Sequence, residues 1–469
     1  MVASSSLAML PVLLLIAAAL VAYFFYARSS SATSKAAAGK HAASAAESKP
    51  TKHHKQPATK VDITAKSARK ASDAAGNGAA TSDASSTSSS SASSSSASSS
   101  AESSLIHRHL RGHTGEITGL AVSPDGRHIA SVARDEQLRL WTVVDSEKQV
   151  HFARHNLKKG DFGSAVAISA DDTLVAMAVN DTRVVHLFAI SGDTVKNTGF
   201  LNPTIQFATP HRHPITTLRF APNGAFLATM AESSSDLSLH LFTLKGTLIH
   251  SISVAQLVNY SFAISPDSRF IAAATKVADT KVWEVVYAKG GKGGAASSTT
   301  IEKIEPALSL KGQKRGLRSL SFTPDSHRIV AASLDGQSWI AHDIDVRYRM
   351  QEDARVVARV DVAAVAGAGA SAGAGVERID VAAPSGADPA DPSSPLVVAV
   401  SLGSTLQFWR LDPVKSGAAA TTLVVSIPHA HKGAIHAFEF NRPTSSKQRT
   451  QLVTTGEGKT ITIWNLPKL

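Results

Sequence analysis

The strongest constraint on this chain is a loose motif that recurs from residue 105 to its last residues. In the clearest copy, Gly112-His113 opens a segment that passes through Ser123-Pro124-Asp125-Gly126 and Asp135 and closes on Trp141. Leu138 and Leu140 alternate between Asp135 and Trp141, as the inward positions of a strand do. A repeat of this kind is one supersecondary unit that cannot bury its apolar face alone, so successive copies must stack. The polar members have a physical reason as well. An Asp in the tight turn between two strands accepts a hydrogen bond from the His of the Gly-His pair, and a fully paired buried network fixes local geometry. In the first copy that network is expected to hold His113, Ser131, Asp135 and Trp141.

Six further copies follow. The second runs from about His155 to Phe188, with Ser169-Ala170-Asp171-Asp172 in its turn and Phe188 in place of Trp. The third has His213, Ala221-Pro222-Asn223-Gly224, and Asp236 six residues before Phe242. The fourth has Ser265-Pro266-Asp267 and ends in Asp279-Thr280-Lys281-Val282-Trp283-Glu284. The fifth has Thr323-Pro324-Asp325 and Asp335-Gly336, with His342-Asp343 where a Trp-Asp pair would stand. The sixth keeps only a second half, Leu396 to Trp409. The seventh begins His431-Lys432-Gly433-Ala434-Ile435 and finishes at Trp464. At about 40 to 45 residues per four-stranded unit, residues 105–469 suffice for an all-β, seven-bladed β-propeller. Leu105 to Leu110 precede the first Gly-His pair and the last copy lacks an outer strand, so pairing the two ends would close the ring and remove a free sheet edge. Residues 288–304 and 362–393 break the period and are expected to be insert loops on the rim.

The 104 residues ahead of the repeats have a different character. Leu7 to Tyr26 is a twenty-residue run without a charge, long enough to cross the roughly 30 Å hydrocarbon layer. Tyr23 and Tyr26 suit the interface, and Arg28, Lys35, Lys40 and Lys49 all follow the span, which predicts a single-pass anchor at 7–26 with the repeats in the cytosol. A cleaved signal peptide would have a basic start and a shorter apolar core. Residues 27–104 read as a disordered linker, basic at first and then almost pure Ser from Ser82 to Ser104. Residues 1–104 hold ten Lys/Arg against five Asp/Glu, within a chain of net charge +11. Such a segment beside a membrane favours anionic headgroups. No aromatic side chains for base stacking accompany the lysines, so direct nucleic-acid binding is not expected.

Composition removes several kinds of chemistry. There is no cysteine, which excludes disulfides, thiolate zinc sites and thiol nucleophiles. Gly369-Ala370-Ser371-Ala372-Gly373 fits the nucleophile-elbow pattern but lies in an Ala/Gly tract without a strand before it or a helix after it. Asp161-Phe162-Gly163 lacks the rest of a kinase. The pairs His107/His109, His211/His213 and His429/His431 have strand spacing for metal ligation, yet His213 and His431 occupy the blade-opening position of a structural His. Asn180-Asp181-Thr182 and Asn259-Tyr260-Ser261 are glycosylation acceptors in form and matter only in a luminal topology. No catalytic residue, metal site or cofactor is expected, and the chain is read as a non-enzyme.

With its copies laid out, the sequence resembles the WD40-repeat family. Beyond the blade motifs, the likeness is carried by Ala278-Asp279-Thr280-Lys281-Val282-Trp283-Glu284-Val285 with the Lys/Gly-rich loop behind it, by Asp343-Ile344-Asp345-Val346-Arg347-Tyr348, and by the order of span, basic tether and propeller. It implies an endoplasmic-reticulum membrane protein with a cytosolic propeller. It also implies a scaffold that binds proteins in stress signalling or translation control. The partners implied are a membrane stress kinase and translation-initiation or ribosomal components, with RNA reached through them. The alternatives are an exchange-type regulator of a secretory-pathway small GTPase, acting through the 288–304 loop, and a luminal propeller enzyme. Partner contacts on a propeller fall to the short loops of its narrow face, where Arg134, Lys276 and Arg315 are the candidates.

Overall fold

The computed structural model describes residues 105–143, 151–190, 200–254, 257–288, 299–362, 375–415, 417–443 and 448–468. The expected anchor at 7–26 and linker at 27–104 lie outside the described residues. Among the described residues, no helix is long and apolar enough to cross a membrane.

Short runs of alternating or wholly apolar residues, each closed by a turn, form 28 strands in the described residues. Strand β1 (Ile106–Arg111) comes first in the chain but joins the last blade. Blade one holds β2 (Ile117–Val122), β3 (His128–Ala133), β4 (Gln137–Thr142) and β5 (His151–Asn156). Blade two holds β6 (Gly163–Ile168), β7 (Leu174–Val179), β8 (Val184–Ala189) and β9 (Ile205–Ala208). Blade three holds β10 (Ile215–Phe220), β11 (Leu227–Ala231), β12 (Ser238–Phe242) and β13 (Leu248–Ser253). Blade four holds β14 (Asn259–Ile264), β15 (Phe270–Thr275), β16 (Thr280–Tyr287) and β17 (Ile301–Leu310). Blade five holds β18 (Leu317–Phe322), β19 (Arg328–Ser333), β20 (Ser338–Asp343) and β21 (Arg355–Asp361). Blade six holds β22 (Val376–Ala382), β23 (Leu396–Leu402), β24 (Thr405–Leu411) and β25 (Thr421–Ile427). Blade seven holds β26 (Ile435–Phe440), β27 (Gln451–Gly456) and β28 (Thr460–Asn465), completed by β1. All pairings within the blades are antiparallel, and β1 runs beside β28 from Ile106↔Trp464 to Arg111↔Thr460. The two ends of the repeat region therefore close the ring.

The apolar residues on both faces of these sheets form seven clusters, and each cluster lies between two neighbouring blades. Ile129 and Trp141 of blade one meet Ile461 and Ile463 of blade seven across the closure. Trp339 and Trp409 meet edge to face, 6.1 Å between centroids, across blades five and six. Aromatic pairs of this geometry add about 0.5–1.5 kcal/mol beyond their buried area. Burial of apolar surface between blades thus holds the ring together.

Every inner strand runs from the Gly-His end of its blade to the Ser-Pro-Asp end, which gives the propeller two distinct faces. On the second face one turn recurs in five blades. Its fourth residue, Gly126, Asp172, Gly224, Ser268 or Ser326, has φ between 55° and 75°. Glycine adopts this left-handed conformation at little cost and serine does not. Each of the two serines binds the preceding blade from this position. Ser268 Oγ accepts the amide of Asn223 in the preceding blade at 3.0 Å, and Ser326 Oγ accepts that of Asp267 at 3.1 Å.

Two expectations need correction. Blade six is complete: β22 supplies the inner strand that was read as part of a 362–393 insert. Only 363–374 of that stretch lies outside the described residues, and 383–395 is a loop of turns between β22 and β23. The 288–304 stretch is not all insert: 301–304 belong to β17, which pairs with β16 out to Tyr287↔Ile301, and 289–298 lie outside the described residues.

Candidate protein-binding face

The loops of the Gly-His face are anchored from beneath. In blade one Trp141 Nε1 donates to Ser131 Oγ at 2.8 Å, and Ser131 Oγ lies 2.8 Å from His113 Nε2. His113 Nδ1 lies 2.9 Å from Asp135 Oδ2. Because a carboxylate can only accept, the proton sits on Nδ1 and the chain runs Trp to Ser to His to Asp. Asp135 also accepts the Thr114 amide at 2.9 Å. Burial opposes its charge, but the His113 ring and that amide outweigh burial and hold its carboxyl below the usual range. All four residues expected in this network are brought together.

Blade three builds the same device from a different histidine. His211, not His213, is buried, with Nδ1 3.0 Å from Asp236 Oδ2 and Nε2 2.9 Å from Thr229 Oγ1. His213 instead meets Ser235 Oγ at 2.7 Å in an exposed pair. Spacing marks the difference: His113 precedes Ser131 by 18 residues, and His211 precedes Thr229 by the same 18. His211, Asp236 and His240 bring ligand atoms within 4.8 Å of one another, but both nitrogens of His211 are taken by Asp236 and Thr229. His240 sits against His211, 4.6 Å between ring centroids. Burial first, and the neighbouring His211 second, push its pKa down to about 4.

Blade seven retains His431, whose Nε2 is 2.7 Å from Thr454 Oγ1, while Trp464 Nε1 donates to the same hydroxyl at 2.7 Å. Gly458 stands four residues past Thr454, where Asp135 stands relative to Ser131, so His431 lacks the carboxylate. Burial, with His109 nearby, lowers its pKa to about 4. Blade four departs further. Asp279 is exposed and belongs to no buried network, whereas Trp283 is buried between blades three and four. The sequence carried the warning, since Asp279 precedes Trp283 by four residues where Asp135 and Asp236 precede their aromatics by six. Asp335 only shapes its own turn, accepting the Gln337 amide at 3.0 Å. His342, in the fully buried place of the closing aromatic, reaches the Lys311 carbonyl through Nε2 at 2.9 Å.

Above this framework Arg134, Lys276 and Arg315 are all exposed and all on the Gly-His face. Arg134 reaches Glu116 at 3.2 Å and lies 4.9 Å over the Phe162 ring. Lys276 and Arg315 are neighbours because Gly316 passes so close that a Cβ there would collide with the Thr275 carbonyl and the Lys276 backbone. Sequence reasoning missed the group at the mouth of the channel. Arg318 lies 5.0 Å over Tyr260 and 3.8 Å from both Glu232 and Glu377, drawing blades three to six together. Its position, directly after the first residue of an inner strand, was the available signal.

The fold is a seven-bladed, all-β propeller with Gly-His and Trp networks in its blades. The family model for the WD domain, G-beta repeat, matches residues 104–142 and 304–338. Among individual proteins, the chain is similar to Transducin beta-like protein 2 of Mus musculus, 30% identical over 249 residues that cover 53% of this chain and 54% of the relative. The same protein of Homo sapiens is 27% identical over 249 residues, 53% of each chain. A guanine nucleotide-binding protein subunit beta of Arabidopsis thaliana is 23% identical over 253 residues, 52% of this chain and 60% of its own. The chain thus spans about half the length of the curated relatives it matches.

Proposed function

We propose that the protein is a membrane-tethered scaffold, anchored in the endoplasmic reticulum by residues 7–26, whose cytosolic propeller binds protein partners on its Gly-His face. The observation that carries this reading is that three exposed cations share this face on fixed loops: Arg134 beside the buried blade-one network, and Lys276 and Arg315 held together by the close passage of Gly316 and the Gln313 bond to the Ala278 carbonyl. A contact surface held rigid before binding loses less conformational freedom on association. The likeness to Transducin beta-like protein 2 and the order of span, tether and propeller support a role in stress signalling or translation control. The partners proposed are a membrane stress kinase and translation-initiation or ribosomal components.

The topology is tested by protease protection of intact microsomes carrying the full chain with an epitope tag at Leu469. Loss of the tag without detergent is the expected result. Protection of the tag would place the propeller in the lumen, where Asn180 but not the fully buried Asn259 is open to glycosylation, and would overturn the cytosolic scaffold.

A further inference from the structure

The channel along the propeller axis encloses about 510 Å³, within the range of sites for small molecules. Its walls are the seven inner strands, which contribute equivalent residues in tiers. The tier nearest the Ser-Pro-Asp face holds Arg219, Ser321, Asp380 and Glu439. All four are engaged. Asp380 accepts from Ser321 Oγ at 2.6 Å, the Phe440 amide at 2.9 Å and Arg442 at 3.1 Å. Arg219 of blade three crosses the bore to pair with Glu439 of blade seven, so this end of the channel has a floor.

The next tier, two residues back along each inner strand, is built from small side chains and one large one. Gly119, Ala165 and Ala437 leave space, Thr217, Ser261 and Ser319 bring hydroxyls, and blade six supplies Arg378. The Arg378 guanidinium has no hydrogen-bond or ion-pair partner among the described residues. Its backbone amide, bound to Ser401 Oγ at 3.0 Å, is accounted for separately. Arg318 at the mouth adds a second cation close by, and its two carboxylates stand at 3.8 Å from it. The channel lining itself carries three arginines against two carboxylates. A guanidinium in a confined space without a partner is poorly solvated and draws an anion. Its fork matches the oxygens of a phosphate two at a time. The hydroxyls on the same tier are weakly held, Ser261 Oγ donating to the Arg318 carbonyl at 3.4 Å and Ser319 Oγ accepting the Ile379 amide at 3.5 Å. With Thr217 they line the space a tetrahedral phosphate's further oxygens would fill and a planar carboxylate would not.

We infer that the channel between the Arg219–Glu439 floor and the Gly-His face binds a phosphate group, free or carried by a small ester, on Arg378 with Thr217, Ser261 and Ser319. This site is independent of the protein-binding face and of the membrane topology.

The test uses the full-length chain in detergent and follows its melting temperature against inorganic phosphate, glycerol 3-phosphate, glycerol and succinate at constant ionic strength. Both phosphates are expected to raise the melting temperature saturably, and glycerol is not. Whichever phosphate binds more tightly identifies the free or the esterified form as the occupant. Arg378→Ala should weaken binding at least about tenfold, the usual loss for a hydrogen-bonded charge. It should also melt no lower than the parent without ligand, because no described group loses a partner. Thr217→Val, which keeps the side-chain shape, should weaken binding several-fold, and Lys245→Ala, on the opposite face, should leave it unchanged. No saturable shift in the parent, equal binding by Arg378→Ala or Thr217→Val, or succinate binding as tightly as phosphate would overturn the assignment.

Discussion

At the scale of single residues, the blade networks are directional chains of donors ending on a carboxylate, and their value lies in leaving no buried polar group unpaired. Asp135→Ala or Asp236→Ala strands a buried histidine and should cost about 1–3 kcal/mol. His213→Ala and Asp279→Ala, both outside any buried network, should stay within about 0.5 kcal/mol of the parent; urea unfolding of the four variants makes the comparison. The histidines also set a pH dependence. Burial, helped by a second histidine in each case, pushes His186, His240 and His431 down to about 4 in the folded chain. In the unfolded chain they titrate near 6.5, so between those values the unfolded state binds more protons and stability falls as the pH falls. The melting temperature should therefore drop steadily from pH 7 to pH 4.5, and a flat profile would contradict the neutral, buried state of these rings. Part of this was legible in the sequence. His113, Ser131, Asp135 and Trp141 declared themselves through spacing, whereas His211 was hidden by His213 two residues on, since a His-x-His pair gives no local sign of which ring is buried.

At the scale of elements, most blades were readable because their turns repeat Ser-Pro-Asp or its variants. Strand β22 was not, because it lies between an Ala/Gly tract and a Pro-rich loop. Its alternate residues Arg378 and Asp380 face the channel rather than solvent, so its polar positions do not mark an outer face. The closure by β1 was readable, as the first strand lacks a blade and the last blade lacks a strand. Leu110 is the buried residue of β1, packed with Ile117, Trp141 and Ile461. Leu110→Ala should cost about 2–5 kcal/mol and lower the denaturant midpoint of the whole propeller in one transition. A separate early transition confined to one blade would contradict closure as the common fastening. At the fifth-blade entrance, Gly316→Ala should separate Lys276 from Arg315 and destabilise the fold, because the added carbon meets backbone atoms that have no rotamer to yield. Ser268→Ala tests the stitching between blades: it keeps the left-handed backbone but drops the bond to the Asn223 amide, an expected loss of about 1 kcal/mol.

At the scale of the whole molecule, seven interfaces of similar make hold a ring whose two faces differ in kind. One face is built of recurring turns that stitch blade to blade, and the other presents exposed cations, Arg134 beside a buried histidine network and Lys276 and Arg315 on backbone packed at Gly316. The repeats made the ring legible, but the channel was not, because its tiers arise from residues far apart in sequence that meet only around the axis. In the proposed scaffold, partners are held by the Gly-His face. The most direct test is quantitative crosslinking and capture from intact membranes, comparing the parent chain with Arg134→Glu/Lys276→Glu/Arg315→Glu and with Arg127→Glu/Lys245→Glu, which alters exposed cations on the opposite face. The first variant should lose the specific partners of the parent, the second should retain them, and both should melt like the parent. Retention by the first variant, or equal loss by both, would contradict binding by that face.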